Sequence, residues 1–202
     1  ETVDLNAKVS KAEFKELRDQ LDIRLGELQR AIQDAGVPVL IVFQGWDAAG
    51  KGTAIGNLVK SLDPRGFRVH PINPPNEEEA LRPPMWRFWL TLPAKGQISI
   101  YDRSWYEQVL VERVEKLVPK KQWQPAYERI RRFERQLTDD GAVIVKFWLH
   151  ISKDEQAKRF KKLRKDPALA WKVSDEDLKL HKPYKKYEEV VEHLLRETST
   201  PN

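Results

Sequence analysis

The stretch Gly45-Trp46-Asp47-Ala48-Ala49-Gly50-Lys51-Gly52-Thr53 constrains the fold of this 202-residue chain more than any other. An apolar run, Val37 to Phe43, leads into it, and a run that reads as helix, Ala54 to Val59, leaves it. Strand, glycine-rich loop and helix, with a lysine at the turn, is the context of a phosphate-binding P-loop. The glycines let successive backbone N–H groups converge on one concavity, and the helix N-terminus adds partial positive charge there. Gly45, Ala48, Ala49, Gly50, Gly52 and Thr53 are therefore the candidate cradle, and Lys51 the cation that reaches the outer phosphates. The strict pattern places Ser or Thr directly after the lysine; here Gly52 intervenes.

The rest of the chain alternates between the two periods of regular structure. Phe14, Leu17, Leu21, Leu25, Leu28 and Ile32 recur at helical spacing between Ser10 and Ala35. Ser10 and Glu13 form a capping-box pair and Gly36 stands just past the end, so an amphipathic helix suited to packing or self-association occupies residues 1–36. Further strands are expected at Phe67–Ile72, Gln97–Tyr101 and Ala142–Leu149, the last as a buried strand. Helices are expected at Glu77–Leu81, Met85–Leu92, Ser104–Lys116, Gln122–Asp140 and Ser152–Lys165, with a last one from about Ser174 through Leu195. Alternating strands and helices predict a single α/β domain over residues 1–202, a parallel sheet covered by helices on both faces. Such sheets bind ligands outside the carboxyl ends of their strands. Gly45, Asn73, Asp102 and His150 fall at those ends, His150 as a loop histidine with no evident partner.

Composition narrows the function classes. Hydrophobic residues make up 40% and charged residues 33%, which describes a folded rather than a disordered chain. No apolar run is long enough for a bilayer, no signal peptide opens the sequence, and without cysteine there is no disulfide framework, so a cytoplasmic setting is expected. A net charge of +5 favours polyanionic partners, and its distribution has to say which.

The densest charge is Lys158-Arg159-Phe160-Lys161-Lys162-Leu163-Arg164-Lys165, a stretch without an acid. An ordinary solvated helix face usually mixes signs. Beside a P-loop, this segment (152–173) reads as a lid closing over phosphates rather than a nucleic-acid patch. Asp102, closing an apolar strand downstream of the P-loop, is the candidate ligand for Mg²⁺. Arg103 would then stand beside the phosphates, where a guanidinium suits phosphoryl oxygens. Ser104 and Glu107 match a capping box, which accounts for Glu107 without catalysis. Asp47 places a carboxylate inside a loop that attracts anions, and a divalent cation between it and the phosphates resolves the repulsion. An acceptor that is itself a phosphate needs no general base.

Taken together, Gly45-Trp-Asp-Ala-Ala-Gly-Lys51, Leu62-Asp-Pro-Arg-Gly66, Pro84-Met-Trp-Arg-Phe-Trp89, Asp102-Arg-Ser-Trp-Tyr106, Val111-Glu-Arg-Val114 and Lys146-Phe-Trp-Leu-His-Ile151 resemble the polyphosphate kinase 2 family from about residue 15 onward. The resemblance implies a P-loop kinase fold related to thymidylate kinase and Mg²⁺-dependent transfer of a terminal phosphoryl group between inorganic polyphosphate and a nucleotide. It implies Asp47 and Asp102 as metal ligands and Lys51 as phosphate-binding. Arg103, Arg159 and Arg164 would stabilise the transferring group, with Lys161 and Lys162 among the lid bases. The Pro84–Trp89 block is most similar to members that phosphorylate AMP. The expected partners are polyphosphate and AMP, ADP or ATP, with no membrane, and the chain is expected to form a homo-oligomer. The resemblance further implies a strand and a final helix beyond the counterpart of Glu197-Thr-Ser-Thr, past the last residue of this sequence. Two other readings remain at this point: an ATP-dependent nucleoside monophosphate kinase on the same fold, and a silent polyanion-binding module.

Overall fold

Every apolar run with extended character becomes a strand, and all four strands pair in parallel. The computed structural model describes residue 4 and residues 7–116, 118–175, 178 and 181–200. Among them β1 (Val39–Gly45), β2 (Phe67–Pro71), β3 (Ile98–Asp102) and β4 (Val143–Leu149) form one sheet in the order β2-β3-β1-β4. The register sets Phe43 beside Asp102 and Gly45 beside Leu149, so the carboxyl ends of β1, β3 and β4 meet at one rim. The connections carry α1 (Lys11–Ala35), α2 (Lys51–Val59), two four-residue helices α3 (Glu77–Ala80) and α4 (Trp86–Trp89), α5 (Glu107–Val114), α6 (Lys120–Asp139), α7 (Lys153–Lys165) and α8 (Tyr184–Thr198).

The strand period divides the core in two. Val39, Phe43, Ile98 and Ile100 join Ile55 and Leu62 on the face covered by α1 and α2. Leu40, Val42 and Tyr101 join Trp105, Val109, Ile130, Phe133, Val190 and Leu194 on the other face, under α5, α6 and α8. Each such aliphatic side chain removed from water contributes about 1.5–3 kcal/mol, so the layering follows from the alternation alone. Helix α1 begins and ends where expected. Ser10 Oγ accepts the Glu13 N–H at 3.2 Å. Gly36, at φ 65°, donates to Gln33 O while Val37 donates to Ile32 O, a Schellman close. Leu25 and Ile32 pack onto the core, whereas Phe14, Leu17, Leu21 and Leu28 are exposed.

Several expectations need correction. β4 is an edge strand rather than a buried one. Val143, Val145 and Phe147 are exposed on the face that α1 and α2 cover elsewhere, because those helices sit over β1 and β3. The helix expected over Met85–Leu92 is one turn long, and the one expected from Gln122 starts at Lys120, directly after Pro119. The helix expected from Ser104 starts at Glu107, because Arg103 adopts φ 65° and the chain turns before it winds. The last helix is seen from Tyr184, and parts of its expected start near Ser174 fall outside the described residues. No helix among the described residues is long and apolar enough to cross a membrane.

Candidate active site

The P-loop sits at the rim where β1 ends, and its first glycine is fixed by packing as well as by conformation. Gly45 has φ 138°, and a Cβ there would lie 2.2 Å from Leu149 O and 2.7 Å from Leu149 N. The Trp46 N–H then donates to Leu149 O at 3.2 Å, tying the loop to β4. Gly50, at φ 106°, is the N-cap of α2, as the glycine pattern requires. Ala48 is less expected. It takes φ 58°, a left-handed conformation that costs a non-glycine residue about 1–3 kcal/mol.

Lys51 is buried, and its Nζ donates to Gly45 O at 2.9 Å and to Trp46 O at 3.1 Å, with Asp47 Oδ1 3.7 Å away. Arg103 Nη2 donates to the same Asp47 Oδ1 at 2.9 Å. Two cations thus flank the carboxylate that sequence reasoning found anomalous, and a side-chain guanidinium supplies part of the compensation expected of a metal. Burial works against the charge on Arg103, but the carboxylates of Asp47, Glu107 and Asp102 outweigh it and its pKa is raised. Asp102 is half-buried at the end of β3, level with Phe43 at the base of the loop. Thr53 and Gly52 lie exposed in the first turn of α2.

From the opposite side α7 grips the loop. Gln156 Nε2 donates to Asp47 O at 3.0 Å, and Arg159 Nη1 donates to Ala48 O and Ala49 O at 3.1 Å each. Arg159 is held in turn by Glu155, at 2.8 Å. Among the basic residues of the expected lid, Arg159 therefore reaches the P-loop, through carbonyls rather than through its concavity. Lys161 and Arg164 line a cleft of about 360 Å³ with Ala157, Phe160, Lys165 and His181. Lys162 is exposed, and no hydrogen bond or ion pair among the described residues ties it to the loop.

Sequence reasoning missed several participants. Glu107 does not close a capping box. Ser104 Oγ accepts from Tyr106 N–H, and the Glu107 carboxylate instead accepts from Gln44 Nε2 at 2.8 Å. Burial raises the Glu107 pKa, against the pull of Gln44, Arg103 and Lys51 and with a further rise from Asp47. His150 does have a partner. Trp46 Nε1 donates to its Nδ1 at 3.1 Å, and the Trp46 ring stacks on Tyr184 at 4.2 Å, fastening the P-loop to α8. The one legible signal for Gln156 was its place three and four residues before Arg159 and Phe160, on one helix face.

The chain that builds this rim, an Asp-bearing P-loop with Asp102-Arg103 beside it and a basic helix behind, matches a known family. A family model described as Polyphosphate kinase 2 (PPK2) fits residues 8–202. The chain belongs to the polyphosphate kinase 2 family. It is 40% identical over 200 residues to a polyphosphate:AMP phosphotransferase of Pseudomonas aeruginosa, covering 99% of this chain and 40% of that protein. It is 42% identical over 181 residues to the AMP/ADP-polyphosphate phosphotransferase of Meiothermus ruber, covering 89% of this chain and 68% of that one. A crystal structure of a polyphosphate kinase 2 from Arthrobacter aurescens superposes with a TM-score of 0.93 at 34% identity, covering 98% of this chain and 74% of that chain. The chain thus spans about two fifths of the polyphosphate:AMP phosphotransferases that it matches. Its parallel sheet flanked by helices is the architecture of PPK2 structures.

Proposed function

We propose that this chain is a Mg²⁺-dependent phosphotransferase that moves the terminal phosphoryl group between inorganic polyphosphate and a nucleotide, with AMP or ADP as acceptor and a cytoplasmic setting. The observation that carries this reading is Asp47. Its carboxylate stands inside an anion cradle, 2.9 Å from Arg103 and 3.7 Å from Lys51, so a carboxylate suited to Mg²⁺ and two cations suited to phosphate converge on one loop. The names of the relatives from Pseudomonas aeruginosa and Meiothermus ruber support the choice of donor and acceptor.

Mg²⁺ accepts one or two carboxylates and completes its shell with phosphate oxygens and water, so Asp47 and Asp102 suit it. Bound there, the ion would neutralise charge on the phosphates. Lys51, with the Gly45, Gly50, Gly52 and Thr53 backbone and the Ala48 N–H, would hold the non-bridging oxygens, while Ala49, whose N–H donates to Trp46 O at 3.1 Å, would shape the loop. Arg103, on leaving Asp47, would turn its fork to the transferring group. Arg159, Arg164, Lys161 and Lys162 would border the path of the chain along α7. The acceptor phosphate is already ionised at neutral pH, so these residues need only position it in line.

The test is a panel of donors and acceptors: polyphosphate or ATP as sole donor, AMP or ADP as acceptor, with and without a chelator. Metal-dependent transfer from polyphosphate is expected, and turnover of AMP with ATP but not polyphosphate would overturn the reading. Asp47→Asn and Asp102→Asn should each lower transfer by about 10²-fold or more while leaving metal-free binding of polyphosphate intact or stronger. A silent binding module would show neither the wild-type turnover nor that contrast.

A further inference from the structure

The P-loop contains a strained peptide, and the groups that hold it come from one helix. Ala48 is left-handed at φ 58°, and the carbonyls on both sides of it are bound by α7, Asp47 O by Gln156 and Ala48 O and Ala49 O by Arg159. In a planar trans peptide the C=O and the N–H point in opposite directions. Drawing the Asp47 carbonyl onto α7 therefore turns the Ala48 N–H away from α7, and drawing the Ala49 carbonyl does the same for the Gly50 N–H. Among the described residues neither N–H donates to a backbone carbonyl outside the regular elements. They are the kind of donor that a phosphate cradle requires.

Gln156 is itself oriented. It is 3% exposed, and its Oε1 lies 2.7 Å from His181 Nδ1. An amide oxygen only accepts, so His181 Nδ1 carries the hydrogen. That bond fixes which end of the Gln156 amide faces His181 and commits the NH₂ end to Asp47 O. The His181 ring also meets Phe160 edge-on, 6.0 Å between centroids, which seats it against the buried side of α7.

We infer that Gln156, oriented by His181, is a positioning residue for the phosphate donor: by holding the Asp47 carbonyl it aims the Ala48 N–H into the cradle. This rests on the polyphosphate reading and adds to it a chain of bonds, His181 to Gln156 to Asp47, that links the segment after the basic helix to the P-loop. Neither side chain needs to touch the substrate.

Gln156→Glu keeps the size and removes the donor. Gln156→Leu removes it without adding charge, and His181→Phe keeps a ring but frees the amide to rotate. Calorimetric titration with inorganic tripolyphosphate is expected to show about tenfold weaker binding for both Gln156 variants, the loss of one hydrogen bond's effect. His181→Phe should weaken binding about threefold. The KM for polyphosphate should rise in parallel, with the KM for AMP and kcat within twofold of wild type. Because the two residues act through one bond network, Gln156→Leu/His181→Phe should bind no more weakly than Gln156→Leu alone. Unchanged tripolyphosphate affinity in a folded Gln156 variant, or an equal rise in both KM values, would overturn the inference. If the Gln156 variants do not fold, unchanged affinity in His181→Phe overturns it equally. A wild-type protein that binds tripolyphosphate but transfers no phosphoryl group would defeat the proposed function and leave this inference standing.

Discussion

Glu107 carries its carboxylate against Gln44, and burial raises its pKa. The unfolded chain titrates at the ordinary value, near 4.3–4.5, so the folded state binds the proton more tightly. Stability therefore falls as pH rises from that value through the raised one, and the penalty is complete above it. Glu107→Gln removes the penalty, and the new amide offers a donor to Gln44 Oε1, which is buried without a partner among the described residues. Urea unfolding should show the variant more stable than wild type by about 1 kcal/mol at pH 8, with the difference vanishing near pH 4. A wild-type advantage at pH 8 would contradict the assignment. At this scale the sequence revealed types better than partners. Lys51, Asp47 and Arg103 each stood out in the sequence and the structure brings them together, yet the capping-box pattern misread Glu107, since a motif of four residues does not register that Arg103 turns left-handed first.

Between elements, β4 joins α6 through a buried carboxylate and a lysine that stays partly exposed. Glu134, 6% exposed, accepts from Trp105 Nε1 at 3.0 Å, from the Tyr106 hydroxyl and from Lys146 Nζ at 3.0 Å. Lys146 also donates to Thr198 O at 2.9 Å, so one ammonium links β4, α6 and the end of α8. Lys146→Met leaves that carboxylate buried without its cation and should lower unfolding free energy by about 3 kcal/mol, while Glu134→Gln, which still accepts, should cost less. Denaturant midpoints of the two variants compare them directly. Element existence was legible because the periods of 2 and 3.6 are local properties. The boundaries of α4, α5 and α6 were not, since each depends on a turn or a proline that competes with helical period.

Across the whole molecule, α1 and the open face of β4 both carry uncovered apolar side chains. Phe14, Leu17, Leu21 and Leu28 lie exposed on the same face of the helix that packs Leu25 and Ile32 on the core. Such a stripe supports association with another helix of the same kind. If this stripe joins two copies, Leu17→Glu/Leu21→Glu should shift the sedimentation of the protein toward the monomer at micromolar concentration with the melting temperature little changed; an unaltered sedimentation profile would refute association through this stripe. The charge excess has its own signature. With a net charge of +5 and exposed bases on α7, the KM for polyphosphate should climb with ionic strength more steeply than the KM for AMP.

The amino-acid sequence by itself determined the four strands, the amphipathic first helix with its Ser10 and Gly36 ends, and the glycine-rich loop that joins β1 to α2. All of these follow from backbone conformation and periodicity within a few residues. The tertiary structure alone decided that β4 stands at the edge, that Arg103 pairs with Asp47, that Gln44 meets Glu107 and that Gln156 holds the P-loop. Those partners lie 56, 63 and 109 residues apart in the chain. They meet because the sheet order β2-β3-β1-β4 gathers the ends of β1, β3 and β4 at one rim, and strand order is set by the packing of whole layers rather than by any local pattern.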